Sequence, residues 1–345
     1  MRSALLGWYE AHARRLPWRI GPAEKRAGVV GDPYAVWLSE VMLQQTTTAH
    51  AAPYYNAFLQ RWPSVERLAA VADEDLMAAW AGLGYYARAR NLLACARAVA
   101  NDHGGRFPDT EAGLLSLPGV GAYTAAAVAA IAFDRPANVV DGNVERVVSR
   151  LFATQTPLPA AKFELKALAA TLVAADRPGD WAQALMDLGA VVCRPKNPLC
   201  LVCPLNAECR AYASGEPERW PKKAAKGERP QRFGAAFVMR RGDEVALVRR
   251  PEKGLLGGMA ALPTTEWGPQ PLGDVEALAL APAPARADFR FAGSIDHVFT
   301  HFPLRLDVWV GEGTTLPEGA RWVEVEAARS SLPTVFRRAL DRGLG

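Results

Sequence analysis

The sequence has no run of apolar residues approaching the ~18 that cross a bilayer. Its opening, Met1 to Glu10, lacks the apolar core of a secretory signal. The chain therefore reads as cytosolic, with no membrane partner. It has no long basic tail, which argues against indiscriminate binding to polyanions. Cysteine is scarce, five in 345 residues, and four of the five fall within one short stretch. What the chain does have is hydrophobic mass. Half of its residues are hydrophobic, enough to bury sizeable cores and to exclude a disordered chain. Its length favours about two domains. The net charge of +4 falls on residues 1–230, while residues 231–345 are balanced. That is a weak pointer to nucleic acid, useful only if the charge forms a basic face.

The stretch Leu117 to Asn143 organises the front part. It begins Leu117-Pro118-Gly119-Val120-Gly121-Ala122-Tyr123-Thr124. Gly119 and Gly121 make a tight turn whose backbone N–H groups can point outward. The alanine-rich run from Ala122 to Ala132 is a strong helix former, so the turn opens a helix N-terminus. Such an end binds anions, and DNA phosphate is one. Asp141 then sits in an Asp-Gly turn before another helix, for which Asn143 is a cap. Read alone, the glycine pair fits an ordinary turn equally well.

Upstream, residues 2 to 18 read as a first amphipathic helix, and Ile20 to Gly31 as loop. Asp32-Pro33 starts a helix as N-cap and first residue, running from Tyr34 to Thr46. Glu40 lies on it among Val36, Trp37, Val41 and Leu43. A carboxyl in apolar surroundings holds its proton near neutral pH, the property of a general acid; a solvated helix edge is the commoner fate of a Glu. Gln44 and Gln45 close the helix with groups able to read base edges, and equally suited to face solvent. Several short helices fill Ala51 to Ala100. Among them Gly82-Leu83-Gly84-Tyr85-Tyr86-Ala87-Arg88-Ala89-Arg90 has the look of an aromatic wedge beside phosphate contacts. The alternative is one core Tyr and two solvated Arg.

Helices are expected over Phe163 to Ala174 and Trp181 to Val192, the second running into the cysteines. Cys193, Cys200, Cys203 and Cys209 have the spacing C-x6-C-x2-C-x5-C. Four cysteines so close in an intracellular chain are metal ligands before they are disulfides. Only one pair has the short spacing of a zinc knuckle, so an iron–sulfur cluster and zinc both stand. Cys95, in an apolar helix, reads as a core thiol. Residues 214–231 form a linker rich in Pro, Gly and Lys. Beyond it the texture turns to short strands, at Phe233–Met239, Glu244–Arg249, Phe289–Ala292, Asp296–Thr300 and Leu304–Val310, with a helix at Thr334–Asp341. This is a separate α+β domain. Its densest polar-aromatic cluster is Asp296 to Phe302.

Taken together, these pieces resemble the adenine DNA glycosylases of the MutY type, in the helix-hairpin-helix superfamily that includes endonuclease III. The carriers are Leu38 to Thr46, Gly82 to Arg90, Leu117 to Ala125, Val140 to Val144 and the four cysteines, in that order over nearly the whole chain. The resemblance implies a mainly α helix-hairpin-helix glycosylase fold over residues 1–213, with a six-helix-barrel module, the hairpin at 117–125 and a cluster loop at 193–209. A smaller MutT/Nudix-like α+β domain follows at 232–345. It implies a [4Fe–4S] cluster on Cys193, Cys200, Cys203 and Cys209. It also implies a monomeric base-excision-repair enzyme, cytoplasmic and nucleoid-associated, acting on double-stranded DNA that carries adenine opposite 8-oxoguanine or guanine.

By the same resemblance the adenine is flipped out and its N-glycosidic bond cut. Glu40 is implied as the acid that protonates adenine N7 and then helps activate water. Asp141 is implied to stay ionised beside the positive sugar. Tyr123 and Asn143 support them, Gln45 and Tyr85 wedge into the duplex, Gly119 and Gly121 grip its backbone, and Gln183 touches the adenine or its water. Strand-cutting relatives carry a Schiff-base lysine where this chain has Tyr123, so a monofunctional enzyme is expected. In the back domain Phe299-Thr300-His301 falls where the family has a Phe-Ser-His loop reading the lesion. No Arg-Glu-x-x-Glu-Glu follows Phe233, so nucleotide hydrolysis by metal-bound glutamates is not expected. The loop Gly254 to Pro263 departs from the family's Trp-Glu-Phe-Pro ending, and the insert between Trp18 and Pro33 is longer than usual. Two other readings compete. A bifunctional pyrimidine-lesion glycosylase is opposed by Tyr123 and the second domain. A non-enzymatic iron–sulfur DNA binder is opposed by the presence of both Glu40 and Asp141.

Overall fold

The computed structural model describes residues 1–224, 229–251, 254–282, 289–299 and 301–345. The chain divides into two compact units, Met1–Ala225 and Lys226–Gly345.

The first unit is helical and is built around the helix Ala122–Phe133. Eight of its residues are buried, six of them alanine. Small side chains let its neighbours approach closely, and the helices Pro33–Met42 and Pro178–Asp187 both pack on it. At Gly179 an added Cβ would lie 2.5 Å from the Ala130 carbonyl oxygen. Only a glycine lets these two backbones come so near. The turn into the central helix runs Leu117-Pro118-Gly119-Val120, closed by Val120 N–H on the Leu117 carbonyl. Gly119 sits at φ +71°, the left-handed position of a turn with proline before it, and a Cβ there would also strike Asn91. Gly121 needs neither its φ nor the space.

Several helices differ from the sequence expectation, each for a local reason. The first helix is Arg2–His12 and stops short of residue 18. The Arg14 backbone N–H leaves the helical ladder to bond the Asp187 carboxylate at 2.9 Å. The expected loop at Ile20 to Gly31 contains a helix, Pro22–Arg26, because Gly21-Pro22 is a helix start with Glu24 returning to the Gly21 N–H. The Glu40 helix, Pro33–Met42, is capped by Asp32 as expected but ends before Thr46. Its last carbonyls, on Val41 and Met42, accept from the buried Arg88 guanidinium instead. The second nitrogen of that guanidinium bonds the Leu83 and Gly84 carbonyls. Residues 214–224 of the expected linker lie on this unit. Trp220 is buried and its carbonyl accepts from Arg150, and Leu158 exchanges backbone bonds with Lys222 and Ala224.

The second unit is a six-stranded mixed sheet. Its strands are β1 (Arg232–Arg241), β2 (Glu244–Arg249), β3 (Ala260–Ala261), β4 (Arg290–Val298), β5 (Pro303–Glu312) and β6 (Ala320–Glu324). The order is β3-β2-β1-β5-β4, with β6 also paired to β2. β1 and β5 are parallel, Arg232 opposite Leu304 through Arg240 opposite Glu312. Alternation along β1 sends Ala236 and Val238 to one core and Ala235, Phe237 and Met239 to the other, so both sheet faces are covered. The helix Thr334–Leu344 covers the first face with Phe336, Ala339 and Leu340. Two expected strands, at 289–292 and 296–300, are one strand, β4, carried through a bulge between Phe291 and Gly293. The short β3 and β6 and the helices Asp274–Ala279 and Val325–Ser331 were not legible as periodic runs.

Candidate active site

Six sequence-expected residues, Glu40, Gln45, Tyr123, Asp141, Asn143 and Gln183, line one cavity of about 550 Å³ in the helical unit. They come from four separate segments. Glu40 is on the third turn of the Pro33–Met42 helix, and Tyr123 opens the central helix. Asp141 caps the helix Gly142–Phe152, and Gln183 is on Pro178–Asp187.

Glu40 is 6% exposed, not on a solvated helix edge. Burial pushes its pKa up to about 7; a hydrogen bond from Tyr123 and the charge of Arg19 pull it down, and Asp141 pushes it further up. A carboxyl in this state carries a proton at neutral pH and can give it away. The Tyr123 hydroxyl is itself held protonated, mainly by burial and then by the two acids, so it acts as a donor. It also contacts Met186 Sδ at 3.8 Å.

Asp141 differs in kind. One carboxylate oxygen accepts from the Val144 N–H at 2.7 Å and the other from Asn143 Nδ2 at 2.9 Å. A helix N-terminus favours negative charge at this position. Asn143 in turn accepts from Arg146, which also donates to the carbonyls of Gly189 and Cys193. At Gly189 a Cβ would collide with Asn143. The turn bearing Asp141 is thus fastened to the segment that leads into the cysteines. That segment, Leu188–Val192, is wound as a π-helix, a form common at functional sites.

Sequence reading missed Arg14, Trp18 and Arg19, which also line the cavity. They follow the early end of the first helix, where the chain was read as helix and then loop. The signal was Asp187, a lone acid on the apolar stretch Trp181 to Val192 that requires a counter-charge.

Gln45 and Tyr85 are both exposed and both in the left-handed region, at φ +60° and +50°. Such backbone costs of order 1 kcal/mol for a residue other than glycine. Gln45 reaches the rim of the cavity; Tyr85 does not line it. Gly119 and Gly121 lie at the N-terminus of the central helix, which no side chain caps. Its first turn therefore offers backbone donors outward.

Cys193, Cys200, Cys203 and Cys209 surround one small cavity, joined there by Arg150. No three His, Cys, Asp or Glu side chains among the described residues converge on a single-ion position. Arg150 is 2% exposed and donates to Cys193 Sγ at 3.3 Å and to the carbonyls of Arg194 and Pro195. Four thiols around a shared space, with a buried cation against one sulfur, suit an anionic sulfur-bound group wider than one ion.

Phe299 and His301 belong to the second unit. They sit in the tight connection between β4 and β5, closed by Phe299 N–H on the Phe302 carbonyl. Phe299 stacks on Trp267 at 5.7 Å and meets the His297 ring edge-on. His301 is exposed. Thr300 lies outside the described residues.

Residues 38–170 match the family described as HhH-GPD superfamily base excision DNA repair protein, and residues 235–342 match the NUDIX domain. The adenine DNA glycosylase of Homo sapiens is 37% identical over 97% of this chain and 73% of its own length. That of Mus musculus is 36% identical over 100% of the chain and 78% of its own. That of Mycolicibacterium smegmatis is 41% identical over 62% of the chain and 70% of its own. Among solved structures, a thermostable thymine-DNA glycosylase aligns with TM-score 0.54 at 33% identity, over 61% of this chain and 94% of its own. A trapped endonuclease III–DNA covalent intermediate aligns at TM-score 0.50 and 24% identity, over 62% and 96%, a likeness of fold. No helix among the described residues is long and apolar enough to cross a membrane.

Proposed function

The chain belongs to the adenine DNA glycosylases, enzymes that remove adenine from DNA in base excision repair, and from that membership we propose that it excises adenine paired with 8-oxoguanine or guanine, without cutting the strand. The observation that carries the chemistry is Glu40, a buried carboxyl protonated near pH 7 in the same cavity as the hydrogen-bonded Asp141. The two acids are in different environments, as two acids with different tasks must be.

The adenine enters the cavity flipped from the duplex. Glu40 gives its proton to N7. The bond between the sugar C1′ and N9 then breaks, and its electron pair leaves with the adenine. The Asp141 carboxylate faces the positive sugar, held in place by Asn143 and the Val144 N–H. A water oxygen bonds C1′, and its proton returns to Glu40, leaving free adenine and an abasic site. Tyr123 donates to Glu40, while Gln183 contacts the base or its water. Gln45 and Tyr85 enter the duplex around the lesion, and the first turn of the central helix, with Gly119 and Gly121, holds a phosphate. Phe299, Thr300 and His301 read the 8-oxoguanine. Cys193, Cys200, Cys203 and Cys209 would hold a [4Fe–4S] cluster, which when bound cross-links the 193–209 loop through iron–thiolate bonds.

At position 123 a tyrosine offers no amine, so no Schiff base forms there. Lys162 also lines the cavity, but its side chain is 64% exposed and its ammonium is paired with Glu145. The test is base release from defined duplexes. We expect free adenine from adenine opposite 8-oxoguanine and opposite guanine, none from adenine opposite thymine, and loss of at least ~10³-fold in single-turnover rate in Glu40→Gln. Full activity in Glu40→Gln defeats the mechanism. Efficient borohydride trapping on DNA defeats the monofunctional assignment.

A further inference from the structure

Asp187 is 0% exposed and is the last residue of the Pro178–Asp187 helix, which runs straight on into the π-helical segment Leu188–Val192. It does not line the active cavity, and its own helix supplies it with no cation. Its partners come from 168 and more residues away in sequence. One oxygen accepts from Arg14 Nε at 2.6 Å, the other from the Arg14 backbone N–H at 2.9 Å and from Arg19 Nη1 at 2.5 Å. Both arginines line the cavity. The Arg19 side chain is 5% exposed, so water does little to screen its charge. That charge acts directly on Glu40.

The charged and titratable groups that act on Glu40 are Tyr123 from the central helix, Asp141 from the turn before the next helix, and Arg19 from the segment after the first helix. Arg14, Glu145 and Lys162 line the same cavity, the last two paired with each other. Behind Arg19 stand Asp187, Arg14 and the buried hydroxyl of Tyr9, whose surroundings also include Asp180. Asp180 is already engaged by Arg177 and Lys25. Asp187 is therefore the carboxylate that bonds both Arg14 and Arg19.

We propose that Asp187 is a positioning residue for the excision reaction: it pins Arg14 and Arg19 against the cavity wall and limits how much of their positive charge reaches Glu40. Without its carboxylate two cations face the cavity uncompensated. Glu40 then gives up its proton more readily and is ionised at a pH where the reaction requires an acid. Burial, with the charge of Asp141 added to it, raises the Glu40 acid; Asp187 keeps the neighbouring arginines from undoing that rise. The inference rests on Glu40 as the acid, and Glu40→Gln tests that reading separately.

The experiment is the pH dependence of single-turnover adenine excision by the full chain. In wild type the rate falls as pH rises through the Glu40 value of about 7. In Asp187→Asn that descending limb moves to lower pH by about one unit, with a roughly tenfold loss at pH 7.5. In Arg19→Gln the surplus charge has the opposite sign, and the limb moves to higher pH. The double variant brings it back toward the wild-type position. Opposite shifts from the two halves of one ion pair are not expected from loosened packing. A loss of rate in Asp187→Asn by the same factor at every pH, with the limb in place, overturns the proposal. If Asp187→Asn does not fold, Arg19→Gln decides: an unmoved limb there overturns it as well.

Discussion

At the scale of single residues, the acid proposed to perform the chemistry also burdens the fold. The Glu40 pKa is raised from an ordinary 4.5 to about 7 by burial. Between those values the folded chain binds the proton that the unfolded chain has lost. Stability is therefore full below the unfolded value and declines as pH rises through the folded one. The whole effect, for a fully buried group, is of order 3 kcal/mol. Glu40→Gln removes the titration. We expect its melting temperature to exceed that of wild type at pH 8 and to match it at pH 5, as scanning calorimetry would read. Equal differences at both pH values would mean that the side chain ionises without cost.

At the scale of elements, the site depends on how close two helices can come. Pro178–Asp187 brings Gln183 to the cavity and Asp187 to the arginines, and it can do so because Gly179 rests on the Ala130 carbonyl. Gly179→Ala places a Cβ against backbone, not a movable side chain. We expect a cost of about 1–3 kcal/mol and a lower excision rate at saturating DNA, since Gln183 and Asp187 shift together. An unchanged melting temperature would show that the helices can separate freely. The same logic explains what was legible here. Asp32-Pro33 and the glycine turn are local signals, and each appears where its chemistry placed it; the cap expected at Asn143 falls two residues earlier, at Asp141, whose carboxylate accepts from the Val144 N–H, and Asn143 lies inside the helix. The ends of the first helix and of the Glu40 helix were not legible. They are set by Asp187 and Arg88, partners far off in sequence that no local propensity encodes.

At the scale of the whole molecule, each of the two units has a core of its own. One continuous core fills the helical unit from Leu5 to Leu205, and two cores flank the sheet from Ala235 to Leu340. We expect residues 1–225 to fold as an independent unit with cooperative melting, and to release adenine with less preference for 8-oxoguanine over guanine as its partner. Failure of this piece to fold would show that the sheet unit is needed for stability. The change of texture after Phe233 marked this division, because periodicity switches there from helix to strand. That Glu40 is buried and that Asp141 sits in a turn before a helix was also readable, the first from its apolar neighbours and the second from its Asp-Gly sequence. Arg14, Trp18 and Arg19 were not, since their place depends on a chain path bent by one long-range bond.

Arg88 ties two segments of the helical unit together. Its guanidinium bonds the carbonyls of Val41 and Met42 on one side and of Leu83 and Gly84 on the other, with Tyr85 and Trp80 rings nearby. Gln45 and Tyr85 project from those two ends. One buried cation therefore clamps the roots of both tips, and the gap between them is set before any duplex arrives. With Gln45 and Tyr85 entering the duplex as proposed, the pair would work as a fixed-gauge caliper: a base step that yields to its spacing would admit it, and well-stacked DNA would resist. Discrimination of this kind would begin with mechanical compliance, ahead of any contact with the base to be removed.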